Sequence, residues 1–356
     1  MKKWIFPSFT LNFLALFVSA QAFALADIEI TGEADINASI YSLPTSDRGD
    51  SVFSVPSLLL NFNVPLKEGN LLFVSFEGAE RRDQASKPFT VQTREAYLDL
   101  VSIFQGMSGL RMGLIPASWL EAQYEDWDYR FLGPTGWAIT EKWKYLYYSD
   151  LGAAFMSELP LDMGEWTFAI QNGQGRDTEE PQPHKDMVLY LRFTKWNPWS
   201  FSLSYVRGNY EKYEDSANLR ERIQASAMFK TEDDHWRAGL ELLDAHDPAD
   251  AITDLKMAEG VDVSSLTGQS VHAQGGSLYA IVSTGPKAEL MARWDYLNAA
   301  VGESGKDLNT YILSLGYQVT SDVKMALEGD YTKYGEDYGI GVRDNSKVEI
   351  AAQVLF

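Results

Sequence analysis

The chain predicts an all-β protein: a single transmembrane antiparallel β-barrel of about sixteen strands, with short turns at one end and long loops at the other. Three observations predict it. The chain opens with an export segment, both ends of the remaining chain alternate apolar and polar residues with a period of two, and no later stretch is long and apolar enough for a spanning helix. A bilayer core offers no water to satisfy free backbone N–H and C=O groups, so a chain without such helices can cross only as a closed barrel.

The export segment comes first. Lys2 and Lys3 precede the apolar run Trp4 to Ala20, and small residues follow in A-x-A spacing at Ala20/Ala22, Ala22/Ala24 and Ala24/Ala26. Pro7, Ser8 and Asn12 interrupt the run and no basic flank closes it, which argues against a retained anchor. Cleavage after Ala26, with Ala24 nearly as good, divides the chain into a signal peptide, 1–26, and one barrel domain, 27–356. Removal of Lys2 and Lys3 leaves 28 bases against 50 acids, a mature net charge of −22 that excludes nucleic acid as a partner. The absence of cysteine removes both disulfides and the acylated cysteine of a lipoprotein.

The strands follow in order. In the first mature segment Ile28, Ile30, Gly32, Ala34, Ile36, Ala38 and Ile40 alternate with Glu29, Thr31, Glu33, Asp35, Asn37, Ser39 and Tyr41, so one face can meet lipid and the other a polar lumen. Further strands are expected near 53–65, 71–80, 91–100, 109–115, 150–159, 165–172, 186–194, 200–207, 221–230, 235–243, 276–284, 287–297, 308–317 and 322–332. The segment 53–65 carries Pro56 and Pro65, which weaken a strand, and 71–80 has two mixed faces. The last strand sets Val348, Ile350, Ala352, Val354 and Phe356 against Lys347, Glu349, Ala351, Gln353 and Leu355. Short connections alternate with long ones, at 42–52, 81–90, 116–149, 173–185, 208–220, 244–275, 298–307 and 333–346, which puts both termini at the short-turn end. Trp166, Trp196, Trp199, Trp236, Trp294, Tyr205 and Tyr331 fall near strand ends, where aromatic girdles mark membrane interfaces.

The final strand, stopping at Phe356, resembles the C-terminal signal of Gram-negative outer-membrane proteins, which the barrel-assembly machinery recognises. Over its whole mature length the chain resembles sixteen-stranded porins. Ala96-Tyr97-Leu98-Asp99-Leu100, followed by Leu110-Arg111-Met112-Gly113-Leu114-Ile115-Pro116, is similar to the strands that lead into the third loop of phosphate-selective and related porins. The Pro-Glu-Phe-Gly-Gly motif of enterobacterial porins is absent; Gly133-Pro134-Thr135-Gly136 offers a comparable turn. The resemblance implies a homotrimer in outer-membrane lipid and lipopolysaccharide that passes ions and small hydrophilic solutes by diffusion, with its third loop folded inward.

That loop, 116–149, holds Glu121, Glu125, Asp126, Asp128, Arg130 and Glu141 among Trp119, Trp127, Tyr129, Phe131, Trp137 and Trp143. Carboxylates there facing wall bases across a narrow opening would filter solutes by charge and size. The polar phase of the strands places Glu29, Glu33, Asp35, Glu95, Asp99, Glu241, Glu289, Asp295, Glu328, Asp330 and Glu349 in the lumen with Arg111, Arg192, Arg222, Arg237, Arg293, Lys324 and Lys347. The acid excess predicts a mild cation preference.

Enzyme chemistry finds little support. The histidines are His184, His235, His246 and His272, none in a His-Glu-x-x-His motif, and no Gly-x-Ser-x-Gly elbow occurs. The acidic stretches Asp244 to Asp254 and Gly335-Glu336-Asp337 lack calcium-hand spacing and are read as solvated loops, so no metal or cofactor is expected. Two alternatives stay open: a substrate-selective porin for phosphate or oligosaccharide, and a plugged barrel serving as adhesin, receptor or hydrolase.

Overall fold

The computed structural model describes residues 28–43, 50–80, 89–101, 103, 109–176, 185–209, 219–248, 270–339 and 342–356. The expected signal peptide, His184 and much of the long loops lie outside the described residues. The strands are β1 (Glu29–Leu43), β2 (Ser51–Pro65), β3 (Leu71–Glu80), β4 (Phe89–Val101), β5 (Gly109–Pro116), β6 (Ser149–Glu158), β7 (Gly164–Gln171) and β8 (Asp186–Phe193). They continue with β9 (Trp199–Asn209), β10 (Leu219–Lys230), β11 (Trp236–Asp247), β12 (Val271–Ser283), β13 (Ala288–Asn298), β14 (Asp307–Gln318), β15 (Val323–Tyr334) and β16 (Asn345–Leu355). Each pairs antiparallel with its neighbours in sequence, and β16 returns to β1, so the sheet closes with no free edge.

The alternation sorts side chains as a lipid solvent requires. Ile36, Ile40, Leu313, Leu327 and Ile350 are half-exposed on the outside, whereas Asp35, Asn37, Ser39, Glu328 and Glu349 are buried inside. No helix among the described residues is long and apolar enough to cross a membrane. Trp196, Trp199 and Trp236 ring the outer wall at the short-turn end; Trp294 and Tyr311 do so towards the long-loop end.

Closure is polar within and aromatic at the rim. Glu349 on β16 accepts hydrogen bonds from Asn37 Nδ2 at 2.8 Å and Ser39 Oγ at 2.6 Å on β1. Beyond β16, the Phe356 N–H donates to Gly32 O at 3.0 Å and Phe356 O accepts from the Gly32 N–H at 2.7 Å. The terminal residue therefore extends the seam.

Register shifts interrupt the simple alternation at three places, one of them between Tyr41 and Leu43 where the end of β1 pairs with β16. Between β1 and β2 the register moves from Asp35↔Ser57 to Asn37↔Ser54, an irregularity that takes in Pro56 where a regular ladder would need its missing N–H. Between β3 and β4 it moves from Ser75↔Glu95 to Phe76↔Thr93, leaving Arg94 unpaired in the ladder, so Arg94 and Glu95 both turn inward and are buried.

One expected connection needs correction. The loop read at 244–275 is shorter, because β11 runs to Asp247 and β12 begins at Val271. Asp244, His246, His272 and Gln274 looked loop-like for their polarity, yet they keep the period of two and continue the hairpin.

Candidate functional site

The segment between β5 and β6 enters the barrel. It forms helix α1 (Ser118–Trp127), a tight turn through Arg130–Thr135 and the one-turn helix α2 (Ile139–Lys142). Pro116 and Ala117 leave the strand extended, and α1 buries Trp119, Leu120, Ala122, Gln123 and Trp127. Asp128 stops the helix in the left-handed conformation, φ 56°, which a short polar side chain tolerates. The Trp127 indole then donates to Gly136 O at 2.7 Å, pinning the turn back onto the helix.

This insert is fastened to the wall in many directions. On one side Trp119 Nε1 and Thr140 Oγ1 donate to the buried Glu241 carboxylate on β11, at 3.3 and 3.1 Å. Gln123 Nε2 donates to Ser226 Oγ on β10 at 3.1 Å, and Arg293 on β13 donates to Trp137 O at 2.9 Å. Far round the barrel, Thr135 Oγ1 donates to Asp330 on β15 at 3.2 Å. Apolar contacts complete the fit: Trp127, Tyr129, Phe131 and Leu132 pack on Met228, Tyr279, Ile281, Met291 and Ile312 of the inner wall. Wall cations cap the aromatic faces, Lys324 lying 4.2 Å from the Tyr129 ring centre and Arg293 4.8 Å from that of Trp127.

The charged residues expected to face one another across an opening instead meet directly. Arg111 on β5 holds Asp99 at 2.8 Å and Glu121 at 3.4 Å. Arg192 on β8 holds Glu125 at 2.6 Å and Asp126 at 3.2 Å. Asp128 takes Lys324 at 2.9 Å and Arg237 at 3.5 Å. Arg130 lies 3.3 Å from Glu141, which also accepts a very short hydrogen bond from the Tyr124 hydroxyl. Burial and that carboxylate push the Tyr124 hydroxyl well above its ordinary pKa. In all of these contacts but Arg130–Glu141 the carboxylate is the more exposed partner, most widely Glu125 at 68% over Arg192 at 14%, Asp128 at 49% over Arg237 at 9%, and Glu121 at 39% over Arg111 at 16%.

The remaining wall residues pair locally. Glu33 accepts from Gln353, Arg222 bonds Asp247, Arg293 meets Asp295 at 2.7 Å, and Glu328 faces Lys347 at 3.8 Å. Asp35 is buried near the β1–β2 bulge. Sequence reading passed over a second group, in which Arg94, Arg130 and Arg176 surround the buried Glu77 on β3, with Arg94 also 3.6 Å from Glu95. It likewise passed over the buried Arg220–Asp186 pair. Arg220 shares the inward phase of Arg222 one step before the expected strand start, so a longer alternation would have found it. Arg94 depends on a bulge, which alternation cannot show.

A groove of about 540 Å³ lies between Leu240, Leu242, Leu278, Trp294 and Tyr296 over Gly276. Its leucines and Trp294 point outward, so it belongs to the lipid-facing wall and not to the interior.

No family model matches the chain, and no curated protein matches it in sequence. Solved structures do match in fold. OmpF of Salmonella typhi, in complex with daunomycin, aligns over 92% of this chain and 97% of its own at TM-score 0.67 and 9% identity. OmpT of Vibrio cholerae in its trimer form aligns over 92% and 99% at 0.62 and 12%. An anion-selective porin from Comamonas acidovorans aligns over 92% and 99% at 0.59 and 13%. The closed sixteen-stranded barrel with an inward segment is thus a porin-like fold.

Proposed function

We propose that this porin-like barrel is an outer-membrane channel through which ions and small hydrophilic solutes diffuse passively, without a chemical step, past a constriction formed by residues 117–148. The observation that carries the reading is the asymmetry of the loop–wall ion pairs. Water meets Glu125, Asp128 and Glu121, while Arg192, Arg237 and Arg111 lie beneath them. A passing ion therefore senses the acid first, which favours cations mildly. The many attachments of the insert hold it inside the lumen, so single-channel conductance should be low for a barrel of this strand number.

By this reading the long loops face outside, both termini face the periplasm, a signal peptide of residues 1–26 directs export, and Phe356 is the assembly signal. The likeness to a trimeric barrel supports a homotrimer. A second reading, selectivity for anions, is favoured by the arginines around Glu77 and by the likeness to an anion-selective porin. The mature protein in a planar bilayer under a salt gradient tests both. Low-conductance steps with a cation-directed reversal potential support the first reading, and an anion-directed potential supports the second. A folded barrel with no conductance overturns the channel.

A further inference from the structure

Beyond the lumen, the outer wall carries a cluster that passive diffusion does not use. At the long-loop end of the β11–β12 hairpin, Asp244 and His246 stand two residues apart on one face, and His272 lies directly opposite His246 on β12. Residues i and i+2 of a strand share a face, so a third donor across the ladder completes a tripod aimed to one side of the sheet. Here that side is the outside of the barrel. His272 Nε2 is 2.8 Å from one Asp244 oxygen, and His246 Nε2 is 3.2 Å from the other. The two imidazole rings stack at 4.2 Å with 4° between their planes.

We propose that Asp244, His246 and His272 form a binding site for a transition-metal cation of the zinc type. One donor atom from each residue can be chosen so that all three lie within 4.8 Å of one another. Tetrahedral zinc, with donors at about 2.0–2.2 Å, holds them roughly 3.3 Å apart, which small rotations of half-exposed side chains can reach. Two imidazoles with one carboxylate suit zinc, copper or nickel, whereas calcium and magnesium prefer an all-oxygen shell. Three protein ligands leave the fourth position to water. Gln274 Nε2 donates to Asp244 at 2.8 Å and orients the carboxylate, the usual role of a partner one step outside the ligands.

Placement supports access. Gln274 pairs with Asn298 and Gly276 with Tyr296, so His272 lies beyond the Trp294–Tyr296 aromatic belt, where water reaches the wall. The side chains are 31% to 51% exposed, open enough for an ion to enter.

The test uses untagged mature protein, folded in detergent micelles and stripped with chelator, titrated calorimetrically with Zn²⁺. One Zn²⁺ should bind per chain, and His246→Ala, His272→Ala and Asp244→Asn should each weaken binding at least about 10-fold. His235→Ala should leave it unchanged. Cu²⁺ in the same site should show hyperfine coupling to two nitrogens by electron paramagnetic resonance, lost in the His246→Ala/His272→Ala double variant. Heat-shifted gel mobility confirms that each variant remains a folded barrel. Absence of saturable uptake, equal uptake by the double variant, or displacement of Zn²⁺ by equimolar Ca²⁺ would overturn the site.

Discussion

Under the proposed diffusion, Glu125 and Asp128 are the side chains a solute meets first, because each is more exposed than the arginine beneath it. The double variant Glu125→Gln/Asp128→Asn should move the reversal potential in a KCl gradient towards anions, with the barrel intact. Burial pushes the neighbouring Asp126 carboxyl above its ordinary pKa, against the pull of Arg192. The folded chain therefore takes up this proton at a higher pH than the unfolded chain does, and acidification through that window favours folding at this group. What changes is the field: cation preference should begin to fall above the ordinary carboxylate range, and Asp126→Asn should remove that early onset from a reversal-potential titration. Gly113 has a different task. Its φ is +132°, and a Cβ there would stand 2.2 Å from Ala96 O, so Gly113→Ala should destabilise the barrel by more than about 1 kcal/mol, read as a lower temperature for the gel-mobility shift.

Among the elements, the insert between β5 and β6 is the one that the proposed channel makes its constriction. Trp119 is 2% exposed and bonded to Glu241. Trp119→Ala should cost the insert about 3 kcal/mol of packing and appear as flickering current through an otherwise stable barrel. Replacing 118–147 with a short glycine-serine link should raise single-channel conductance several-fold; unchanged conductance would show that the insert does not limit flow. The sequence marked this segment by its length and its mixture of aromatics and carboxylates. It could not tell facing charges from touching ones, because contact depends on how far the insert reaches across the lumen. The β11–β12 hairpin gives the converse case: its polar outer residues suggested a loop, while the ladder continued through them.

For the whole molecule, the outer surface is apolar where lipid would lie and aromatic at both rims, and assembly adds a further expectation. Light scattering of the detergent-folded protein should give three chains per particle; one chain would remove the trimer. The number and order of the strands, and the limits of most of them, were legible because alternation is local: every second residue must suit lipid, and turns must break the pattern. The inward face of most lumen charges followed from the same rule. Only the tertiary structure decided which charges meet, since Arg192 and Glu125, or Lys324 and Asp128, lie far apart in sequence and are joined by closure of the sheet around the insert. It also turned Arg94 inward through a bulge and set His246 opposite His272 through the register of a hairpin. Periodicity is carried by neighbours along the chain, whereas register and the path of the insert arise only when all sixteen strands are packed together.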